Sequence, residues 1–201
     1  MRTCLCYLSC LLAILLPAVA FPPSKGGVKK PTSTTKPEYK EESPLPKGWP
    51  TPGPFNQVVR KEYPAYRAAF TPGSSANSGF RRLFKHISRN KIPMTAPVEM
   101  KLDESESADM EEMAFLYQSP EVGKTGGDGE LVEVRDMPAQ SALSYAWQGG
   151  RNKATTAKAR EAIDAELAKQ NLKTSGYRLL GYNSPFVPRS KQTHELQALI
   201  E

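Results

Sequence analysis

After Cys10 the chain has no cysteine at all: its three cysteines, Cys4, Cys6 and Cys10, sit in the first ten residues. The folded part is therefore expected to hold no disulfide, no thiolate nucleophile and no covalently attached c-type heme. Only two histidines follow, His86 and His194, so a zinc site of the Cys/His kind is excluded as well. Hydrophobic residues make up 39% of the 201, little for a chain that folds along its whole length. The net charge of +6 is modest, Arg2 is the one charged residue of the first twenty, and the signs alternate along most of the rest. That pattern describes a solvated surface and argues against a nucleic-acid stripe.

What is present divides the chain in three. Residues 1–20 have the form of a secretory signal peptide: Arg2, an apolar run from Cys4 to Leu16, the helix-breaking Pro17, and Ala18-Val19-Ala20 before a cut at Phe21. The run is short for a membrane span, so cleavage and a secreted or periplasmic product are expected. A retained anchor and a lipid-modified Cys10 are the alternatives. Residues 21–54 contain 9 of the 18 prolines among Lys, Ser, Thr and Gly, which predicts a disordered tether. The folded domain is expected over 55–201.

Within that domain the segment from Gly79 to Met100 stands out. Phe80, Leu83, Phe84 and Ile87 follow the helical period, with Arg81, Arg82, Lys85 and Arg89 opposite. Ser78 is a candidate cap. Pro93 and Pro97 then force Ile92-Pro-Met-Thr-Ala-Pro-Val98 into extended form. The order repeats further on. Glu62-Tyr-Pro-Ala is echoed by Asp136-Met-Pro-Ala, a second helix is expected over 152–171, and Leu179 to Val187 and His194 to Ile200 read as strands. Two strand–helix–strand–strand copies predict an α+β domain with internal duplication, a mostly antiparallel sheet and two helices.

Gly79-Phe80, Ile92 to Val98 and Gly181-Tyr-Asn-Ser-Pro185, in this order, resemble the SOUL heme-binding protein family over about residues 55–201. The resemblance implies a distorted barrel-like sheet with two flanking helices, akin to GyrI-like effector-binding domains. It implies non-covalent binding of heme or a related tetrapyrrole in an apolar cleft beside the first helix and the loop after Tyr182-Asn-Ser-Pro185. On that frame Phe80, Leu83, Phe84 and Phe186 are candidates to line the cleft. Arg189 and Lys191 are candidates for the propionates, and His86, on the rim of the helical stripe, for the iron. His194 reads as a partly exposed strand residue, and Glu99 and Glu133 as surface groups rather than catalytic ones. No nucleophile–base pair stands at a diagnostic spacing, so a binding protein without enzymatic activity is expected. The alternatives are a module of the same fold for another apolar ligand or a protein partner, or a GyrI-like hydrolase. A membrane span after signal cleavage and a nucleic-acid partner are not expected.

Overall fold

The computed structural model describes residues 38–73, 75–103 and 109–201. The expected signal peptide and the first part of the tether lie outside them.

Two strands open the domain, β1 (Val58–Tyr63) and β2 (Tyr66–Pro72). They replace the single extended segment expected there, because Pro64 offers no amide hydrogen and the chain turns between them. Helix α1 covers Ala76–Arg89. It starts three residues earlier than expected because Ser75, not Ser78, is the cap: its side chain accepts the Ser78 amide at 3.2 Å. After Asn90 the helix closes with Ile92 N–H donating to the Ile87 carbonyl at 2.9 Å. Strands β3 (Val98–Leu102), β4 (Met110–Leu116), the short β5 (Gly126–Gly127), β6 (Glu133–Met137) and β7 (Gln140–Gln148) follow. Helix α2 (Lys153–Gln170) is framed by an Asn152–Thr155 capping box and by Asn171 in the left-handed conformation, φ 52°. β8 (Thr174–Gly181) and β9 (Thr193–Ile200) end the domain.

Among the described residues nine strands join one open sheet, in the order β1-β7-β9-β8-β3-β4-β2-β6-β5, and their ladders are antiparallel. Leaving β5 aside, exchanging β1 with β6, β2 with β7, β3 with β8 and β4 with β9 returns the same order. This is the expected duplication, with one addition. Each half leads with an extra strand that it gives to the other half: β1 pairs with β7, and β6 with β2. The halves meet at β3–β8, where Met100 opposes Leu179.

Both helices lie on one face. α1 packs over β2 and β4, and α2 over β7 and β9. Leu83 and Ile87 of α1, and Ala159, Ile163 and Leu167 of α2, are buried against Met113, Phe115, Leu196 and Ala198. The other face carries Tyr63, Tyr66, Ala68, Phe70, Leu116, Leu180 and Tyr182, and Trp49 is buried among them at 5% exposure. Trp49 packs on Tyr63 and Tyr66 with ring centroids 4.7 and 5.2 Å away. The Lys47 amide donates to the Gln118 carbonyl at 2.8 Å, and the Ala96 amide to the Pro44 carbonyl at 3.0 Å. The expected boundary at residue 54 is thus corrected. Residues 38–54 form a strap on the domain, because a sheet face this apolar needs a cover and Tyr39, Leu45 and Trp49 supply one. Among the described residues no helix is long and apolar enough to cross a membrane.

Truncation at Phe55 should therefore lower the urea midpoint relative to a chain beginning at Glu38. Trp49→Ala alone should cost about 3–5 kcal/mol of unfolding free energy. Equal midpoints for the two chain lengths would show that the strap adds nothing.

Candidate functional site

The duplicated arrangement seats each helix over the strands of its own half, with β3 and β8 between them. There the structure has a groove of about 1020 Å³. Met100, Leu102 and Leu179 form its apolar floor, Ser75 and Ala76 mark the α1 side, and Arg151, Lys153, Thr156 and Arg160 form the α2 side.

Two guanidinium groups set its electrostatics. Among the described residues Arg151 has no carboxylate partner. Its Nη1 points at the Met100 sulfur, 2.7 Å away, and burial lowers its pKa from the ordinary arginine value. Arg160 lies over the Tyr177 ring, 4.2 Å from the centroid, and only 3.9 Å separates its Nε from Asp164. Its buried Nη1 has no hydrogen-bond partner among the described residues. Glu161 and Asp164 temper the charge of this wall. An apolar floor beside guanidinium donors with spare capacity suits a flat, greasy molecule that carries carboxylates. Among the described residues no group of three or more His, Cys, Asp or Glu is placed to hold a metal ion by itself.

The residues expected from sequence do not form one cluster. Phe80 and Phe84 are 38% and 51% exposed and lie nearly parallel with centroids 6.1 Å apart on the α1 face that Ala76 opens, but neither lines the groove. Phe80 also packs edge-on against Phe115 at 5.0 Å. Leu83 is fully buried beneath the helix and lines nothing, since its stripe is the one that fastens α1 to the sheet. His86 is withdrawn as an iron ligand. Its Nε2 accepts the Tyr117 hydroxyl at 2.7 Å and its Nδ1 meets Asp128, so both ring nitrogens are committed. Arg89 also donates to Asp128, and His86, Arg82 and Lys85 border a smaller cleft of about 300 Å³. Phe186 is 93% exposed, and Arg189 and Lys191 form a 3₁₀ turn in the same loop. None of the three lines either cavity.

Sequence reasoning passed over Arg151 and Arg160. The signal was a basic pair, Arg151 and Lys153, flanking the Asn152 cap, with Arg160 two turns along the same helix. It also misplaced two titratable residues. Glu99 is buried, not at the surface, and accepts from Arg178 Nη1 at 3.2 Å and from the Tyr66 hydroxyl at 3.0 Å. His194 is 6% exposed, and neither of its nitrogens has a partner among the described residues. Burial, then the nearby charge of Arg151, push its pKa down to about 4 from an ordinary value of 6.5.

Two consequences can be measured. Glu99→Gln leaves Arg178 buried without its counter-charge and should cost about 3–5 kcal/mol in urea unfolding. For His194 the unfolded chain takes up a proton near pH 6.5 while the folded ring resists until about pH 4. Its share of stability is complete above pH 6.5 and falls by up to about 3 kcal/mol as pH drops to 4. His194→Phe should flatten that part of the stability profile; an unchanged slope would count against a neutral buried ring.

Residues 56–198 match the model of the SOUL heme-binding protein family. No curated protein matches the chain. Among solved structures, the C-terminal domain of EcmrR superposes with a TM-score of 0.54 at 14% identity, over 72% of this chain and 97% of that one. EcmrR in its DNA complex gives 0.55 at 14% identity over 72% of this chain, which spans only 57% of that protein. A hydrolase from Listeria innocua gives 0.55 at 10% identity, over 74% and 94% of the two chains. At such identities the likeness is one of fold, and the expected α+β architecture is the one these proteins share. With a match that spans nearly all of the sheet and both helices, the chain belongs to the SOUL heme-binding protein family.

Proposed function

We propose that this protein is exported and binds heme or a related tetrapyrrole, without a covalent link, in the groove between α1 and α2. The observation that carries the reading is the groove's division of labour: Met100, Leu102 and Leu179 beneath, and at one side Arg151, which has no carboxylate partner among the described residues. A cavity of this size lies at the upper end of the range of about 300–1,000 Å³ usual for small-molecule and cofactor sites. A bound heme supplies a flat apolar ring, two propionates and an iron atom. The floor residues would take the ring, and Arg151 and Arg160 the propionates, by charge-assisted hydrogen bonds. Phe80 and Phe84 would extend the apolar surface from the α1 side. Export rests on the charge, apolar run and small-residue pattern of residues 1–20.

Titration of ferric heme into the mature protein should give a saturable Soret shift at one ring per chain. The double variant Arg151→Met, Arg160→Gln should bind at least about 10-fold more weakly, since a hydrogen bond to a charged group contributes about 1.5–3 kcal/mol. A band identical to that of heme with an inert protein would assign the groove to another apolar ligand. Exported material should begin at Phe21 by N-terminal sequencing, and an intact Met1 would remove the export claim.

A further inference from the structure

The two helices hold equivalent places in the duplicated fold, but their outer surfaces differ. α2 mixes four Lys or Arg with three Asp or Glu. α1 has four Lys or Arg and no acid at all. Leu83 and Ile87 fasten α1 to the sheet, so its cations share the outer side with Phe80 and Phe84. At about 100° per residue the two rings fall on the flank that Ala76 opens, Arg81 on the crest, and Lys85, Arg89 and Arg82 on the far flank. A strip of aromatic surface therefore runs beside a strip of positive charge along one exposed helix.

The ground beside α1 continues the pattern. Leu131, 46% exposed, borders the smaller cleft together with Arg82, Lys85 and Arg89. Among the described residues four large apolar side chains are exposed, Phe80, Phe84, Leu131 and Phe186, so three of the four gather at the acid-free helix. Asp128 and Glu130 are the acids that border this cleft. Asp128 is engaged by His86 and Arg89. Arg81, Arg82 and Lys85 make no ion pair among the described residues.

We propose that the outer face of α1 docks on an anionic lipid surface, with Phe80 and Phe84 entering the boundary of the acyl chains and Arg81, Arg82 and Lys85 meeting the phosphates. Cations without partners complement the negative potential of such a surface. The rings stand on a convex helix, where a partner of fixed shape finds no pocket to fill, whereas a fluid layer closes around them. Exposed aromatic surface flanked by charge is costly to leave in water and is covered when the helix lies in the plane of the interface. Ala76, at the start of α1, lines the groove, so docking sets the α1 side of the groove next to the lipid. Docking of this kind is independent of what the groove holds.

The test is sedimentation of the mature protein with vesicles. Phosphatidylcholine vesicles with about a quarter phosphatidylglycerol should carry it down, and pure phosphatidylcholine should not. Raising salt from about 0.05 M to about 0.5 M should release it. The double variant Arg81→Gln, Lys85→Gln should bind about 25-fold more weakly, about fivefold for each charge removed. Phe84→Ser should bind at least about fivefold more weakly. Lys158→Gln with Lys169→Gln removes the same charge from α2 and should leave binding unchanged. Lys25, Lys29, Lys30 and Lys36 stay in every variant, so a loss in the α1 variants belongs to α1. Wild-type affinity in either α1 variant, with its urea midpoint unchanged, overturns the docking face. So does a wild-type protein that ignores the anionic vesicles or holds them equally at both salt levels. Heme titration of Arg81→Gln, Lys85→Gln should match the wild type, so that lost lipid binding with heme binding intact assigns the two to separate surfaces.

Discussion

The ion pair between Arg178 and Glu99 sits at the joint of the two halves, and the remaining architecture has to accommodate it. Glu99 is on β3 and Arg178 on β8, diagonal neighbours across the central ladder, with their side chains on the face away from the helices. Arg178 is fully enclosed. It donates to Gln197 at 2.7 Å and to Gln140 at 3.2 Å, and its guanidinium lies within 6 Å of the Trp49, Tyr63 and Tyr66 rings. A second buried pair, Lys61 with Glu195 at 2.6 Å, stands in the same layer, and the Tyr182 hydroxyl donates to that carboxylate at 2.6 Å. Charges out of water are tolerated only when matched, so this face must stay dry and closed. That requirement gives the Trp49 strap its purpose. It also leaves the helix side as the place where a ligand can sit.

On that side the duplication itself makes the groove. Because each half lends its first strand to the other, the two helices are drawn outward over β2 and β4, and over β7 and β9. The backbone is close to symmetric across the gap, but the side chains are not. Phe80 stands three residues before the buried Leu83 and Phe84 one after it. Arg160 and Asp164 hold the same places around Ile163. Equivalent helix positions thus present aromatic rings from α1 and charges from α2.

How much of this the sequence disclosed depends on how local each interaction is. Helix α2 was legible nearly to the residue, since Asn152 and Asn171 act through bonds to their own helix. The stripe of Leu83 and Ile87 was legible as periodicity, but periodicity does not say whether a stripe faces a ligand or the protein's own sheet. Trp49 was hidden by the prolines around it, because its docking is decided by aromatic residues further along the chain. His86 looked available because Asp128, 42 residues away, leaves no trace in the helix that contains it. Phe186, Arg189 and Lys191 were carried by the resemblance alone, and none of the three lines either cavity.

The contrast between the two histidines bears on how unmatched polar atoms should be weighed. Trp49 Nε1 and Arg178 Nη2 also have no hydrogen-bond partner among the described residues, but they sit among aromatic rings whose faces attract a cation or an N–H group. Arg160 Nη1 stands over Tyr177 in the same way and still borders open space. His194 has an aromatic neighbour too, yet a neutral imidazole has one nitrogen that donates and one that accepts, and a ring face satisfies at most the donor. The acceptor lone pair finds no match in the aromatic surroundings. It lies across the β9–β8 ladder from Gly181 and near Arg151, which has no carboxylate partner among the described residues. Two local rules thus fail side by side, at a buried imidazole and a buried guanidinium, which marks a place selected for something other than stability.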